Sequence, residues 1–282
     1  MFLRLKTKLF STLAGLVVNA YTVATIQTKM RTLVALMAEN TNPVTQATVG
    51  GIAQKTFSAT ILMIPTLNEE EAIEALVSEA KSCGFTRILV VDGFSSDETR
   101  EVAAKGGARV VEQEFGKGKG CGVRTGMKRF LEETAEFLCI IDGDGTNIPC
   151  DLSELISMLQ AGKADVVLGS RTRGSREPQA MNWLSLASNR TVSFLLGAKF
   201  MHSFTDVQTG YWAFTRIAVQ RIYPKIQSTG FEIELELFVR ILKEGLRVRE
   251  VPVGFRRRKG KTKFSFKLRI RNLYYAFKFL SS

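Results

Sequence analysis

Phe137-Leu138-Cys139-Ile140-Ile141, followed at once by Asp142-Gly143-Asp144-Gly145-Thr146-Asn147, is an apolar run that stops at two carboxylates one residue apart. Five apolar residues bounded by polar ones read as a short buried strand. Two acids at its end cannot be buried unpaired, so they require a cation, and no basic residue neighbours them in sequence. A calcium loop counted from Asp142 would place Gly at its sixth position and Glu at its twelfth. Asn147 and Ser153 stand there, and a strand rather than a helix precedes. The donor type points to Mg²⁺ or Mn²⁺ on Asp142 and Asp144, completed by substrate phosphates and water. A loop with a capping Asp is the competing reading of the pair taken alone.

The same kind of run recurs on either side. Strands are expected at 60–64, 87–91, 108–112 and 165–169, separated by spans long enough for helices. Asn68 is expected to cap the first helix, with Glu69, Glu70 and Glu71 in its first turn, and Ser96 to cap the second. A third helix is expected over 122–133. After Arg171 the alternation loosens into a helix over 183–197, a strand over 211–215, a helix over 232–244 and a strand over 246–253. Strands joined by helices of this length make right-handed crossovers, so the expected class is α/β: a doubly wound, mostly parallel sheet flanked by helices. The expected organisation is an N-terminal segment and linker, 1–57, a single catalytic domain, 58–263, and a basic amphipathic helix, 264–282.

In an open parallel sheet, ligands bind outside the carboxyl ends of the strands, which brings Pro65 to Glu69, Val91-Asp92 and Asp142 to Asp144 to one crevice. Capping or loop roles for Glu69 and Asp92 remain open. A dinucleotide fingerprint would need Gly-x-Gly-x-x-Gly after the first strand, and Pro65-Thr66-Leu67-Asn68-Glu69-Glu70 has no glycine. Backbone amides do not cradle a pyrophosphate there, which leaves the metal as the available charge. Asp92 is placed for a ribose hydroxyl or base edge. Gly116-Lys117-Gly118-Lys119-Gly120 is a basic loop that either folds over a nucleotide or is a solvated hairpin, and it is not a Walker loop.

Composition narrows the classes further. The 282 residues are 45% hydrophobic, carry a formal charge of +12 and include one histidine, His202, so a zinc site or His-based triad is poorly supplied. Cys83, Cys121, Cys139 and Cys150 show no Cys-x-x-Cys spacing and read as thiols in a reducing compartment. The net charge favours an anionic partner.

These motifs together resemble the family-2 inverting glycosyltransferases with the GT-A fold, and among them the dolichyl-phosphate and polyprenyl-phosphate sugar transferases. The resemblance runs from about Ala59 to Lys263. It implies that Pro65, Leu67, Glu69, Val91, Asp92, Lys119, Asp142 and Gly143 contact the nucleotide of a UDP- or GDP-linked sugar, with the metal on Asp142 and Asp144. Gly169-Ser170-Arg171, Asp206-Val207-Gln208-Thr209-Gly210 and Arg257-Arg258-Lys259-Gly260-Lys261-Thr262-Lys263 are similar to three further family segments. Through them Arg171, Arg257 and Lys263 are expected to hold an acceptor phosphate, with Asp206 and Gln208 on the acceptor side. The sequence departs from the family at Gly93, where a second Asp is usual, and at Thr146, where Gln is frequent. The first leaves the base undecided; the second puts the number of protein metal ligands in question.

The chain ends carry the membrane expectation. Arg4, Lys6, Lys8, Lys29 and Arg31 bracket an uncharged stretch over 9–28, long enough to span a bilayer but rich in Ser, Thr, Asn and Gln. It reads as a membrane-seeking or targeting segment, a true span, or an over-extended start before Met30 or Met37. After Glu250 no acid follows, and Phe266, Ile270, Leu273, Tyr274, Phe277 and Leu280 share a helical stripe beside Lys267, Arg271 and Lys278. At the C-terminus, transmembrane helices of the kind some relatives carry are not expected. The expected activity is metal-dependent, inverting sugar transfer from a nucleotide sugar to polyprenyl (dolichyl) phosphate. Its place is the cytoplasmic side of a membrane with an anionic surface, held peripherally or by the N-terminus, and nucleic acid is not a partner. Transfer to a saccharide hydroxyl, sugar-phosphate nucleotidyl transfer and a non-catalytic membrane module are the competing readings.

Overall fold

The computed structural model describes residues 57–259 and, in a last helix, residues 271, 272, 274–276, 278 and 279. The expected N-terminal segment, Lys263 and most of the basic C-terminal stripe lie outside the described residues. Seven strands, β1 (Thr60–Thr66), β2 (Ile88–Asp92), β3 (Arg109–Glu112), β4 (Phe137–Ile140), β5 (Val166–Ser170), β6 (Trp212–Thr215) and β7 (Val248–Pro252), form one sheet in the order β3-β2-β1-β4-β6-β5-β7. Pairing is parallel except around β6, which is antiparallel to both β4 and β5. The helices are α1 (Glu70–Ser82), α2 (Thr99–Lys105), α3 (Lys119–Leu131), α4 (Leu152–Gln160), α5 (Trp183–Phe200), α6 (Arg216–Ile222) and α7 (Ile233–Lys243).

Successive residues of β1 enter opposite cores. Ile61 and Met63 join the core under α3, α5, α6 and α7, whereas Leu62 and Ile64 join the one under α1 and α4. Burial on both faces is why the strands read as unbroken apolar runs rather than alternating ones. Each helix supplies one stripe: α1 buries Ala72, Ile73, Leu76, Val77 and Ala80, three and four residues apart.

The chain leaves β1 toward β2 and β3 and later returns to the other side of β1 with β4. At this switch the connections diverge, and a crevice opens beyond the strand ends. Because β6 runs the opposite way, the turn over 206–210 that feeds it also lies at this end of the sheet.

Three local expectations are corrected. Asn68 does not cap α1: it takes a left-handed conformation (φ 49), its Oδ1 accepts the Ser96 N–H at 2.8 Å, and its own N–H donates to Ser95 Oγ. Asn68 thus joins two crevice loops, and Glu69 holds the cap position. Ser96 does not cap α2 either; Asp97 Oδ1 accepts the Thr99 N–H at 3.1 Å. Finally, Cys83 and Cys150 form a disulfide with Cα atoms 5.2 Å apart, while Cys121 and Cys139 are buried thiols. Their separation of 67 residues hid the pairing, because the end of α1 meets the turn at Pro149–Asp151 only once β4 has joined β1.

In the last helix, Asn272 and Ala276 are buried and Tyr275 and Phe279 pack on the core, while Arg271, Tyr274 and Lys278 of the expected stripe are exposed. Among the described residues no helix is long and apolar enough to cross a membrane.

Candidate active site

A cavity of about 230 Å³ occupies the switch-point crevice. Its walls include Pro65, Leu67 and Glu69 from the end of β1, Val91 and Gly93 from β2, Lys119 at the start of α3, and Asp142, Gly143 and Asp144 after β4. Seven of the eight expected nucleotide contacts therefore share one wall. The eighth, Asp92, is fully buried behind it: Oδ2 accepts the Ser95 N–H at 3.0 Å, and Oδ1 has no partner among the described residues. Gly93 donates its N–H to Thr66 O, and a Cβ on it would meet that oxygen at 3.0 Å, so a second Asp would crowd β1.

The acidic loop is shaped by its own side chains. Asp142 N–H donates to Asn147 Oδ1 at 3.1 Å, and Asp144 Oδ1 accepts from the N–H and hydroxyl of Thr146 at 3.1 and 2.6 Å. Thr146, standing where the family resemblance implies Gln, is thus occupied in orienting Asp144. A Cβ on Gly210 would fall on the Asp142 carboxylate, which is why the chain entering β6 needs glycine there.

These acids, which have no basic neighbour in sequence, find basic partners across the fold. Lys119 Nζ lies 2.5 Å from Asp142 Oδ1 and 2.5 Å from Glu234 Oε1. Arg258 spans Asp144, at 2.8 Å from Oδ2, and Glu69. Burial opposes the Lys119 charge, yet the two carboxylates hold its ammonium above the usual lysine range. Burial would likewise raise Asp142, but Lys119, Arg171 and Arg258 keep it below the usual aspartate range. For Glu234 burial prevails and its carboxyl lies above the usual value. Both cations come from segments distant in sequence, so adjacency could not reveal them.

Arg258 and Glu234 are therefore site residues to which the sequence reading gave no binding role, and Arg257 is a correction. Arg257 donates to Glu177 Oε2 from its backbone N–H at 2.8 Å and to Pro178 O from Nε at 2.6 Å, away from the acids. Along an extended run, residues two apart share a side. Arg256 grips Glu79 and Arg258 grips Asp144, while Arg257 between them points elsewhere. That parity was the available signal.

Asp206 is also repositioned. It is 0% exposed and accepts from Arg171 Nε at 2.8 Å, Arg171 Nη2 at 2.7 Å and Asn189 Nδ2 at 2.8 Å. Arg171 Nη2 also reaches Gln208 O at 2.9 Å, and Asn189 Oδ1 accepts the Gln208 N–H. Arg171, Asp206 and the Gln208 backbone thus form a closed internal network behind Asp142, leaving Asp206 no free oxygen for an acceptor.

Two carboxylates at a crevice mouth suit a hard divalent cation that keeps sites open for phosphate oxygens and water. Among the described residues no group of three His, Cys, Asp or Glu that could hold a metal ion is present. Asp142 and Asp144 are the donors present.

Comparison with known proteins gives the class first. The fold is the GT-A fold: glucosyl-3-phosphoglycerate synthase from Mycobacterium tuberculosis, solved with Mn²⁺, uridine-diphosphate-glucose and phosphoglyceric acid, superposes with a TM-score of 0.64 at 18% identity, covering 81% of this chain and 84% of that one. Residues 61–223 match the model of glycosyl transferase family 2, and the chain belongs to that family. It is 36% identical over 200 residues to glycosyltransferase AglJ of Haloferax volcanii, which covers 71% of this chain but only 64% of that relative's length. It is 32% identical over 216 residues to the dolichyl-phosphate hexose transferase of the same organism, covering 75% of this chain and 89% of the relative.

Proposed function

We propose that the chain transfers a hexose, with inversion, from a UDP- or GDP-linked sugar to a polyprenyl (dolichyl) phosphate at a membrane surface. The observation that carries this reading is the pair of cations, Lys119 and Arg258, each bound to two carboxylates at the mouth of one crevice. Relatives named for dolichyl-phosphate transfer support the acceptor.

Asp142 and Asp144 would hold Mg²⁺ or Mn²⁺, which supplies Lewis-acid neutralisation of the departing diphosphate. The chain's own groups do the rest. Val91 and Pro65 line the cavity for the nucleoside, with Asp92 Oδ1, which has no partner among the described residues, behind them. Lys119 and Arg258 offset part of the acidic charge of the crevice and lie within reach of phosphate oxygens, where charge-assisted hydrogen bonds are strongest. Arg171, clamped by Asp206, adds a fixed positive field at Asp142. A phosphate monoester, with a second pKa of about 6, is already largely dianionic at pH 7, so the acceptor needs positioning and charge balance more than a base.

Incubating the protein with UDP- and GDP-hexoses, Mg²⁺ or Mn²⁺ and polyprenyl phosphate tests the proposal. Formation of a glycosyl phosphopolyprenol, stopped by excess chelator, is expected. Transfer to polyprenol or a saccharide hydroxyl instead, lost in Glu234→Gln, would make Glu234 a general base and overturn the phosphate acceptor.

A further inference from the structure

Helix α5 has two unlike faces. Inward, Val192 and Leu196 pack in the core, and Asn189 and Ser193 bind Asp206 and the Val207 N–H. Outward, Trp183 is 78% exposed, Phe194 73% and, just past the helix end, Met201 92%. With Ala187, Arg190 and Ala198 these residues fall three or four apart, so they form one stripe along a helix of 18 residues, about 27 Å long. Scattered exposed apolar side chains are ordinary, but large ones aligned on one helix mark a contact surface.

The charge around the stripe selects the partner. From Pro178 to Thr205 there is no Asp or Glu, while Arg190 lies in mid-stripe and Lys199 at its edge. A two-fold pairing with a second copy would bring Arg190 toward its own equivalent in a chain already carrying +12. An anionic bilayer offers the opposite sign, and Trp is a side chain suited to the boundary of head groups and acyl chains. Beside the stripe a groove of about 690 Å³ runs between Arg190, Phe194, Met201 and Thr205. The residue after Thr205 is Asp206, the clamp on Arg171, so the surface lies one side chain from the crevice network.

We infer that the outward stripe of α5, Trp183, Phe194 and Met201 with Arg190, docks the protein flat on an anionic lipid surface. The inference takes the lipid-borne acceptor of the proposed function as its starting point. Docking through α5 brings the Asp206–Arg171 network and the crevice beside the head groups, where a polyprenyl phosphate presents its phosphate.

The test uses the full chain and vesicles of phosphatidylcholine with or without phosphatidylglycerol. Wild type is expected to bind the anionic vesicles, with weaker binding at high salt. The triple variant Trp183→Ser, Phe194→Ser, Met201→Ser is expected to lose roughly tenfold or more in partitioning, while its circular dichroism and its turnover of a short-chain, soluble polyprenyl phosphate stay as in wild type. Arg190→Gln is expected to lose about fivefold, the effect of one interfacial cation. Unchanged vesicle binding in the triple variant overturns the inference. So does retained vesicle binding together with a dimer-to-monomer shift in light scattering, which would make the stripe a subunit contact. A wild-type chain that binds vesicles through the stripe yet glycosylates no soluble acceptor would retire the proposed acceptor and leave the docking surface intact.

Discussion

The two sides of the crevice treat their acids differently. On the β1-β4 side, Glu69, Asp142 and Asp144 are held by two long side chains, Lys119 and Arg258, each shared between carboxylates at a cavity wall. On the β5-β6 side, Asp206 is fully enclosed, and Arg171 and Asn189 meet it with several directed hydrogen bonds. The first arrangement can release a carboxylate to a ligand at the cost of turning one flexible cation. The second cannot release Asp206 without stranding a buried guanidinium. An acid's burial and the number of its fixed donors therefore separate a binding group from a structural one better than its place in a motif.

The largest expected effect bears on the enclosed side. Asp206→Asn leaves Arg171 without its counter-charge and is expected to cost about 3–5 kcal/mol in chemical denaturation. A variant that unfolds like wild type and loses only turnover would break the contrast, since Asp206 would then behave as a binding group. Next comes Asp144→Asn, expected to keep wild-type stability and lose on the order of 10² to 10³ in kcat. Wild type in excess chelator should show a comparable loss, and activity surviving either treatment would remove the metal from the proposal. Arg258→Ala is expected to lower kcat/KM roughly tenfold to a hundredfold, the worth of charged hydrogen bonds in a sheltered site. Arg257→Ala, whose contacts are exposed, should stay within about fivefold. Equal losses in the two would show that residue parity in this segment does not decide access to the crevice.

The smallest effect lies outside both regions and calibrates them. Hydrogen bonds from Arg247, at 2.8 and 3.1 Å, hold the Asp165 carboxyl below its usual 3.8. Its folded value is depressed, so its contribution to stability is full above the usual value and fades as pH falls through the lower folded one. Denaturation curves of wild type and Arg247→Ala should differ slightly at neutral pH and converge below about pH 3. A difference that grows with acid would reverse the assigned sign.

What the sequence revealed follows from how local each signal was. The run at 137–141 gave β4 because both faces of the strand are buried, and Asp142 and Asp144 followed from it by adjacency. The mostly parallel sheet came from the spacing of runs, but nothing in Trp212-Ala213-Phe214-Thr215 encodes that β6 points the other way. Pairings across the fold were out of reach: Arg171 with Asp206, 35 residues apart, Cys83 with Cys150, and Arg258 with Glu69, 189 apart. The capping expectation at Asn68 failed because a second loop competes for that side chain once β1 and β2 are side by side.

The antiparallel strand also sets an order of events during synthesis. β4 has β1 on one side and, until residue 215 is made, nothing on the other; β5 has neither neighbour, because β6 and β7 both come later in the chain. A nascent protein ending between residues 171 and 211 therefore carries two apolar strands with unpaired edges, the kind of surface that recruits other chains. At about 5–20 residues per second the interval lasts for seconds, long enough for a chaperone to bind. Chains arrested before residue 206 should be captured by an unfolded-chain binder, and chains arrested after β7 should escape it. The floor under Asp142 is laid in the same step, since Gly210 arrives with β6, so the crevice takes its shape only as the sheet closes.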